Sequence, residues 1–295
     1  MTRSAVISVC GRANVGKSTL TNRLVGEKVS IVSDKPQTTR TRVTGVVTHG
    51  DTQFVLLDTP GFHKPKNRLG NYMMDIISNT VFDADCTLLL VEPVAVVGPQ
   101  ESELISRIRS SGIPCILVIN KIDTVDKGRI LEVIGAYSSE HDFDAVVPVS
   151  AEKCDGLDIL LGEMEKFASE GPHFFPDDMI TDQPERQICS EIVREKLLLC
   201  LDKEIPHGTA VEISRFAEQE NGTVDMEAVI YCEKASHKGI IIGKNGSMLK
   251  KIGSLAREDI ENLLDCKVML RTWVKVKENW RNSDLMLSNF GFKEN

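Results

Sequence analysis

No stretch of this chain is apolar for long enough to cross a membrane. The nearest candidate, residues 87–97, is broken by Glu92 and Pro93, whereas a spanning helix needs about 18 to 20 apolar residues in a row. A cleavable leader is not expected, because Met1-Thr2-Arg3-Ser4 runs directly into a strand-like segment. Paired cysteines are missing too. Cys10, Cys86, Cys115, Cys154, Cys189, Cys200, Cys232 and Cys266 are scattered, form no CxxC pair, and several sit inside apolar runs. That pattern argues against a disulfide framework or a zinc site and for reduced, buried thiols in a cytoplasmic protein. There is no internal repeat, no low-complexity tract and nothing that resembles a dimerisation seam, so a monomer is expected.

What is present is length and a lopsided charge. The 295 residues suffice for two domains, each with its own core. The net charge is −8, yet residues 1–185 carry 18 Lys and Arg against 26 Asp and Glu, and the remainder carries 17 against 17. Within residues 234–281 there are 11 basic side chains and 5 acidic ones. An acidic front half followed by a concentrated basic stretch points to a polyanion as partner of the second half.

In the first half, apolar runs of strand length alternate with helical patterns. The runs are Ala5-Val6-Ile7-Ser8-Val9, Phe54-Val55-Leu56-Leu57, Cys115-Ile116-Leu117-Val118-Ile119 and Val146-Val147-Pro148-Val149; residues 102–109, 128–136 and 157–168 read as helices. This alternation predicts an α/β domain with a doubly wound, mostly parallel sheet. Each run is followed by a distinctive string. After the first comes Gly11-Arg12-Ala13-Asn14-Val15-Gly16-Lys17-Ser18, which opens a helical pattern through Leu20 and Leu24. Glycines there let backbone N–H groups converge on phosphate oxygens at a helix N-terminus, while Lys17 reaches the β- and γ-phosphates and Ser18 ligates Mg²⁺. After the second comes Asp58-Thr59-Pro60-Gly61-Phe62. Its carboxylate can hold Mg²⁺ through water, and Gly61 can offer its N–H to a γ-phosphate. The third is followed by Asn120-Lys121-Ile122-Asp123, whose last residue can accept two hydrogen bonds from guanine that adenine cannot supply. Ser150-Ala151 after the fourth would close over the base. Each string alone could be a strand-end turn; all four in this order, at the edge where open α/β sheets bind ligands, predict a guanine-nucleotide site.

Residues 169–178, with two prolines, a glycine and acids, break the pattern. We therefore expect a nucleotide domain over residues 1–170, a linker over 171–184 anchored by Phe174 and Phe175, and a second domain over 185–295. In that second domain residues 185–202 read as a helix, Ala210-Val211-Glu212-Ile213-Ser214-Arg215-Phe216 and residues 223–231 as strands joined through Asn221-Gly222, and residues 267–276 as a half-buried strand. Residues 280–287 read as a closing helix. Between strands lies Ile240-Ile241-Ile242-Gly243-Lys244-Asn245-Gly246, followed by a helix with apolar Met248, Leu249, Ile252, Leu255, Ile260, Leu263 and Leu264. The α-β-β-α-α-β order with a GxxG loop between its central helices predicts an α+β KH module of the type II arrangement, core about 201–279. Such a loop presses its glycines and Lys244–Asn245 against an RNA backbone and takes about four unstacked single-stranded bases in the adjoining apolar groove. Lys250 and Lys251 on the next helix are further candidates for RNA contact. Trp273 and Trp280 are read as packing residues in preference to base-stacking ones.

Together, GRANVGKS, Lys35-Pro36-Gln37-Thr38-Thr39-Arg40, DTPGF, NKID and the trailing KH module resemble the Era family of bacterial ribosome-assembly GTPases over essentially the whole chain. The resemblance implies GTP binding and slow hydrolysis to GDP, recognition of the 3′ end of 16S rRNA, and a role in 30S subunit assembly and 16S processing. It also implies peripheral contact with the inner face of the cell membrane. By the same resemblance Gln37, Thr38, Thr39, Arg40 and Thr41 form an effector loop, and Thr39, with Thr38 as the alternative, joins Ser18 and Asp58 around Mg²⁺. Lys17, Thr39 and Gly61 would carry the chemistry, since Phe62 stands where many GTPases place a water-orienting glutamine. Asn14 stands where related GTPases hold K⁺. Two other readings stay open: a GTPase directed at another RNA such as tRNA, and an RNA-binding module in which GTP is a structural ligand.

Overall fold

A computed structural model describes residues 1–292, which divide into two compact units, residues 1–66 with 70–182 and residues 67–69 with 183 onward.

The first unit is built from β1 (Arg3–Gly11), α1 (Lys17–Val25), β2 (Val43–His49), β3 (Thr52–Asp58), α2 (Arg68–Phe82), β4 (Cys86–Val91), α3 (Pro99–Ser111), β5 (Cys115–Ile119), α4 (Lys127–Ser138), β6 (Ala145–Pro148), α5 (Leu157–Met164) and the short β7 (Ser169–Glu170). The sheet runs β2-β3-β1-β4-β5-β6, with β7 pairing the start of β1. β3, β1, β4, β5 and β6 are mutually parallel; β2 and β7 are antiparallel. Helices on both faces bury the central strands twice over, which is why those strands are continuous apolar runs. Ala5, Ile7, Val9, Leu88, Leu90, Ile116 and Val118 face one layer, whereas Cys10, Leu89, Val91, Leu117 and Ile119 face the other.

Several elements escape the sequence reading, the strands β4 and β7 among them. β2 has the mixed composition Val-Thr-Gly-Val-Val-Thr-His and follows a loop rich in polar residues. α2 begins in the basic segment after DTPGF, where Pro65 masks its start. The residues read as a linker do not hang free. Phe175 exchanges two hydrogen bonds with the Gln53 side chain (2.9 and 3.0 Å), Thr181 Oγ1 donates to Thr44 O at 2.7 Å, and Val46 N donates to Ile180 O at 2.8 Å. This segment is strapped along β2 and β3, and Phe174, read as an anchor, is 59% exposed.

In the second unit, α6 (Glu185–Cys200), β8 (Ala210–Glu218), β9 (Val224–Cys232), α7 (Ala235–Ile242), α8 (Ser247–Leu264), β10 (Val268–Val276) and α9 (Asp284–Asn289) form a three-stranded sheet under helices. β9 is central, antiparallel to β8 and parallel to β10. Ile213, Met226, Ala228, Ile230 and Cys232 pack against Ile192, Ile252, Ala256 and Ile260 of the helices. The closing helix differs from expectation: residues 280–282 form a 3₁₀ turn, and Ser283, whose side chain accepts from Met286 N, caps a new helix. A serine makes a better cap than a helix interior residue, because its oxygen satisfies a terminal N–H. The two tryptophans part company. Trp280 is fully buried, donates Nε1–H to Gly208 O at 3.0 Å and packs on Phe290 and Phe292. Trp273, read as a packing residue, instead lies 55% exposed on the open face of the sheet. Of the eight cysteines, all free, only Cys154 is exposed; it sits in a loop with φ of 57°.

Candidate functional site

The parallel strands deliver the predicted strings to one edge. There Ala13, Asn14, Gly16, Lys17, Ser18, Thr39, Gly61 and Lys121 line a cleft of about 440 Å³. Gly16 holds a left-handed φ of 99°, and a Cβ on it would lie 2.2 Å from Asn120 Nδ2. Only glycine lets the loop pass that close to the β5 edge. The contact is used: Asn120 Nδ2 donates to Val15 O at 2.8 Å, and its Oδ1 accepts Ala151 N at 3.0 Å. One buried amide therefore ties the first, third and fourth strings together. Lys121 Nζ adds bonds to Asn14 O at 2.7 Å and to the Glu92 carboxylate at 2.6 Å. Ser150 Oγ donates to Asp123 Oδ1 at 2.6 Å, while Ile122 packs partly into the core behind.

At the other end of the cleft, Lys17 Nζ donates to Gly11 O at 3.1 Å and Arg12 O at 2.7 Å. Burial pushes its ammonium down to about 8, against the pull of Asp58. Burial likewise pushes the Asp58 carboxyl up, against Lys17 and the hydroxyls of Ser18 and Ser30. Ser18 Oγ donates to Asp58 Oδ2 at 2.7 Å and lies 2.9 Å from Thr39 Oγ1. Because the single Ser18 proton goes to Asp58, Thr39 donates in the second contact. Thr38 turns elsewhere, to Lys35 O at 2.6 Å and Ser33 Oγ at 2.8 Å. Gln37 has φ of 62°, and Thr41 is half-buried beside Arg40, which is only 1% exposed.

Some predicted residues stand behind the cleft. Thr59 is buried with Oγ1 on Val9 O at 2.8 Å, and Pro60 is buried beside it. Phe62 N donates to Gly11 O at 3.1 Å, but the ring is sunk in the core under the Arg107 guanidinium, 5.4 Å from its centroid. Arg12 turns out of the cleft to Glu101 at 2.8 Å. Sequence reasoning missed Asn22, Ser30, Glu92 and Glu101; polar residues inside an amphipathic helix or a loop carry no periodic signal.

In the second unit, Gly243 (φ 74°), Asn245 (φ 53°) and Gly246 (φ 77°) make a tight turn between α7 and α8, with Lys244, Lys250 and Lys251 at the surface and Ile240 half exposed. Arg271, by contrast, is neutralised by Asp225 at 2.7 Å and Glu227 at 3.3 Å.

A phosphate-loop strand–helix junction, an NKID string at the end of β5 and a GxxG helix pair define a P-loop GTPase domain followed by a type II KH domain. The family models agree: residues 6–121 match "50S ribosome-binding GTPase" and residues 204–281 match "KH domain". The chain is 51% identical to GTPase Era of Ruminiclostridium cellulolyticum over 99% of this chain and 98% of the relative. It is 49% identical to GTPase Era of Clostridioides difficile across the full length of both. Among solved structures it is similar to Era in complex with MgGDPNP and nucleotides 1506–1542 of 16S ribosomal RNA, at TM-score 0.96, 36% identity and full coverage of both chains. A single-residue variant of Aquifex aeolicus Era bound to GDP and AlF₄⁻ matches equally well, at 0.96 and 36% over 99% of this chain and all of that one. The chain belongs to the Era family of GTPases.

Proposed function

We propose that this chain is a GTP-hydrolysing switch that binds the single-stranded 3′ end of 16S rRNA and acts in 30S subunit assembly and 16S rRNA processing. The observation that carries the reading is the full-length match, 0.96 over both domains, to an Era captured with MgGDPNP and that RNA. Both required surfaces are present on one chain.

Within the cleft, Lys17 binds the β- and γ-phosphates, Asp123 accepts from guanine with the oxygen that Ser150 leaves available, and the Gly61 N–H meets the γ-phosphate. Asp58 Oδ1 is buried with no hydrogen-bond partner. The Asp58 carboxylate, with the Ser18 and Thr39 hydroxyls grouped at its side, is the donor set a hard, hydrated cation takes. Ser18 and Thr39 would hold Mg²⁺ directly and Asp58 through water. When bound, Mg²⁺ neutralises charge on the β- and γ-phosphates. Thr39 is favoured over Thr38 because it already faces Ser18. Phe62 cannot orient water, so turnover rests on Lys17, Thr39 and the Gly61 backbone and is slow. Asn14, tied by Nδ2 to Asp34 O at 2.5 Å, presents a hard oxygen donor suited to K⁺; equal hydrolysis rates in K⁺ and Na⁺ would exclude that ion. In the KH domain, Gly243, Lys244, Asn245 and Gly246 hold the RNA backbone, helped by Lys250 and Lys251.

Among the described residues no helix is long and apolar enough to span a membrane. A cytoplasmic monomer with peripheral membrane contact is the reading the family resemblance favours; vesicle flotation and light scattering test its two parts. The central experiment titrates labelled RNA matching the 16S 3′ end at fixed salt with GDP, a non-hydrolysable GTP analogue or ATP. Binding favoured by the GTP analogue alone is expected. Binding indifferent to nucleotide would separate the two activities, and no binding would redirect the search to another RNA.

A further inference from the structure

We propose that Ser30 is a positioning residue for the Mg²⁺-binding carboxylate and that Asn22 is the clamp that sets it. The proposal rests on the Mg²⁺ site just assigned, and goes beyond it. Ser30 lies in the loop after α1, outside all four nucleotide strings, and is 3% exposed. Its Oγ donates to Asp58 Oδ2 at 2.7 Å, the same oxygen that takes Ser18 Oγ at 2.7 Å. Two donors converging on one oxygen fix the carboxylate's rotation and leave Oδ1 with neither of them. That Oδ1 is the buried atom with no partner.

Ser30 is itself held on both sides of its backbone by one side chain. Asn22 Oδ1 accepts Val29 N at 3.0 Å and Ser30 N at 2.9 Å, while Asn22 Nδ2 donates to Ser30 O at 2.7 Å. Asn22 stands on α1, the helix that opens with Lys17 and Ser18. One rigid helix thus aims both donors at Oδ2, Ser18 directly and Ser30 through Asn22. Val29 and Ser30 are thereby fastened to α1. Were Ser30 merely satisfying a buried oxygen, its loss would lower stability without touching the metal.

The test follows release of a fluorescent GDP as free Mg²⁺ is titrated, with GDP affinity at saturating Mg²⁺ and melting temperature measured alongside. Ser30→Ala is expected to raise the Mg²⁺ midpoint roughly three- to tenfold, the effect of losing one hydrogen bond to a charged group partly offset by water. Ser30→Thr, which keeps the hydroxyl, should stay within about twofold. Asn22→Ala keeps Ser30 but frees it, and should raise the midpoint as well. It serves as the second probe if Ser30→Ala folds poorly. An unchanged midpoint in folded Ser30→Ala or Asn22→Ala protein would overturn the proposal. GDP release insensitive to Mg²⁺ in the unsubstituted protein would overturn the metal assignment itself, and the proposal with it.

Discussion

The Ser150 hydroxyl donates to Asp123 Oδ1 at 2.6 Å, across a gap of 27 residues in sequence. The bond fixes the carboxylate's roll. Asp123→Asn replaces an acceptor-only group with one that must also donate. GDP affinity should fall by about a hundredfold, the scale of mismatching charged hydrogen bonds in a buried site. Xanthosine diphosphate, whose 2-oxo group accepts from an amide, should gain. Competition of GDP, XDP and ADP against a fluorescent GDP reads both effects; unchanged discrimination would remove Asp123 from the base site.

Lys17 makes the nucleotide-free protein's stability depend on alkaline pH. Its folded value is about 8, against the 10.5 of an ordinary lysine. Between those values the unfolded chain binds more protons, so unfolding free energy rises with pH across that window. The stabilisation is present above about 10.5 and lost as pH falls through about 8. Lys17→Met should flatten the rise while sharply weakening nucleotide binding. Urea unfolding of both nucleotide-free proteins at pH values of about 7, 9 and 11, which bracket the window, checks the difference. Parallel curves would mean the ammonium is not desolvated.

Gly243 has φ of 74°, and a Cβ there would lie 2.7 Å from Met248 Cβ and 2.9 Å from Met248 N. Gly243→Asp therefore strains the turn and sets a negative charge where RNA phosphates would pass. RNA affinity should drop at least about tenfold, by backbone strain and like-charge repulsion together. GDP affinity should be unaltered. Normal RNA binding by this variant would mean that the loop is not the RNA contact.

The tryptophans supply a matched pair. Trp280→Ala empties a fully buried site and deprives the Gly208 carbonyl of its donor, costing about 3–5 kcal/mol. Trp273→Ala, on an exposed face, should cost about 0.5 kcal/mol or less. Chemical denaturation of the two variants distinguishes these sharply. Comparable losses would mean that Trp273 is covered in solution.

Most of the first domain was legible because its chemistry is local. A parallel strand buried on both faces must be a continuous apolar run, and a phosphate loop must bring its glycines and Lys17 together within a few residues. What stayed hidden depends on partners far away in sequence. β2 owes its strand to pairing with β3, since Thr44, Gly45 and Thr48 would read equally well as loop. Residues 172–181 look like a linker by composition, yet Gln53, Thr44 and Val46 supply the hydrogen bonds that order them. The choice between Thr38 and Thr39 could not be read from a loop with several threonines. It rests on which hydroxyl folds back over Ser18. Trp273 alternates with Val274 as a half-buried strand should, and periodicity alone does not say which face is covered.

The loop that pairs Ser150 with Asp155 carries the one exposed thiol of the chain, at Cys154, with the other seven wholly or partly withdrawn. A thiol-directed dye under mild conditions would therefore settle chiefly three residues from Ala151, without any substitution. The protein carries its own attachment point for an optical reporter beside the proposed base-reading edge. Closure of that edge could be timed independently of phosphate release or RNA capture.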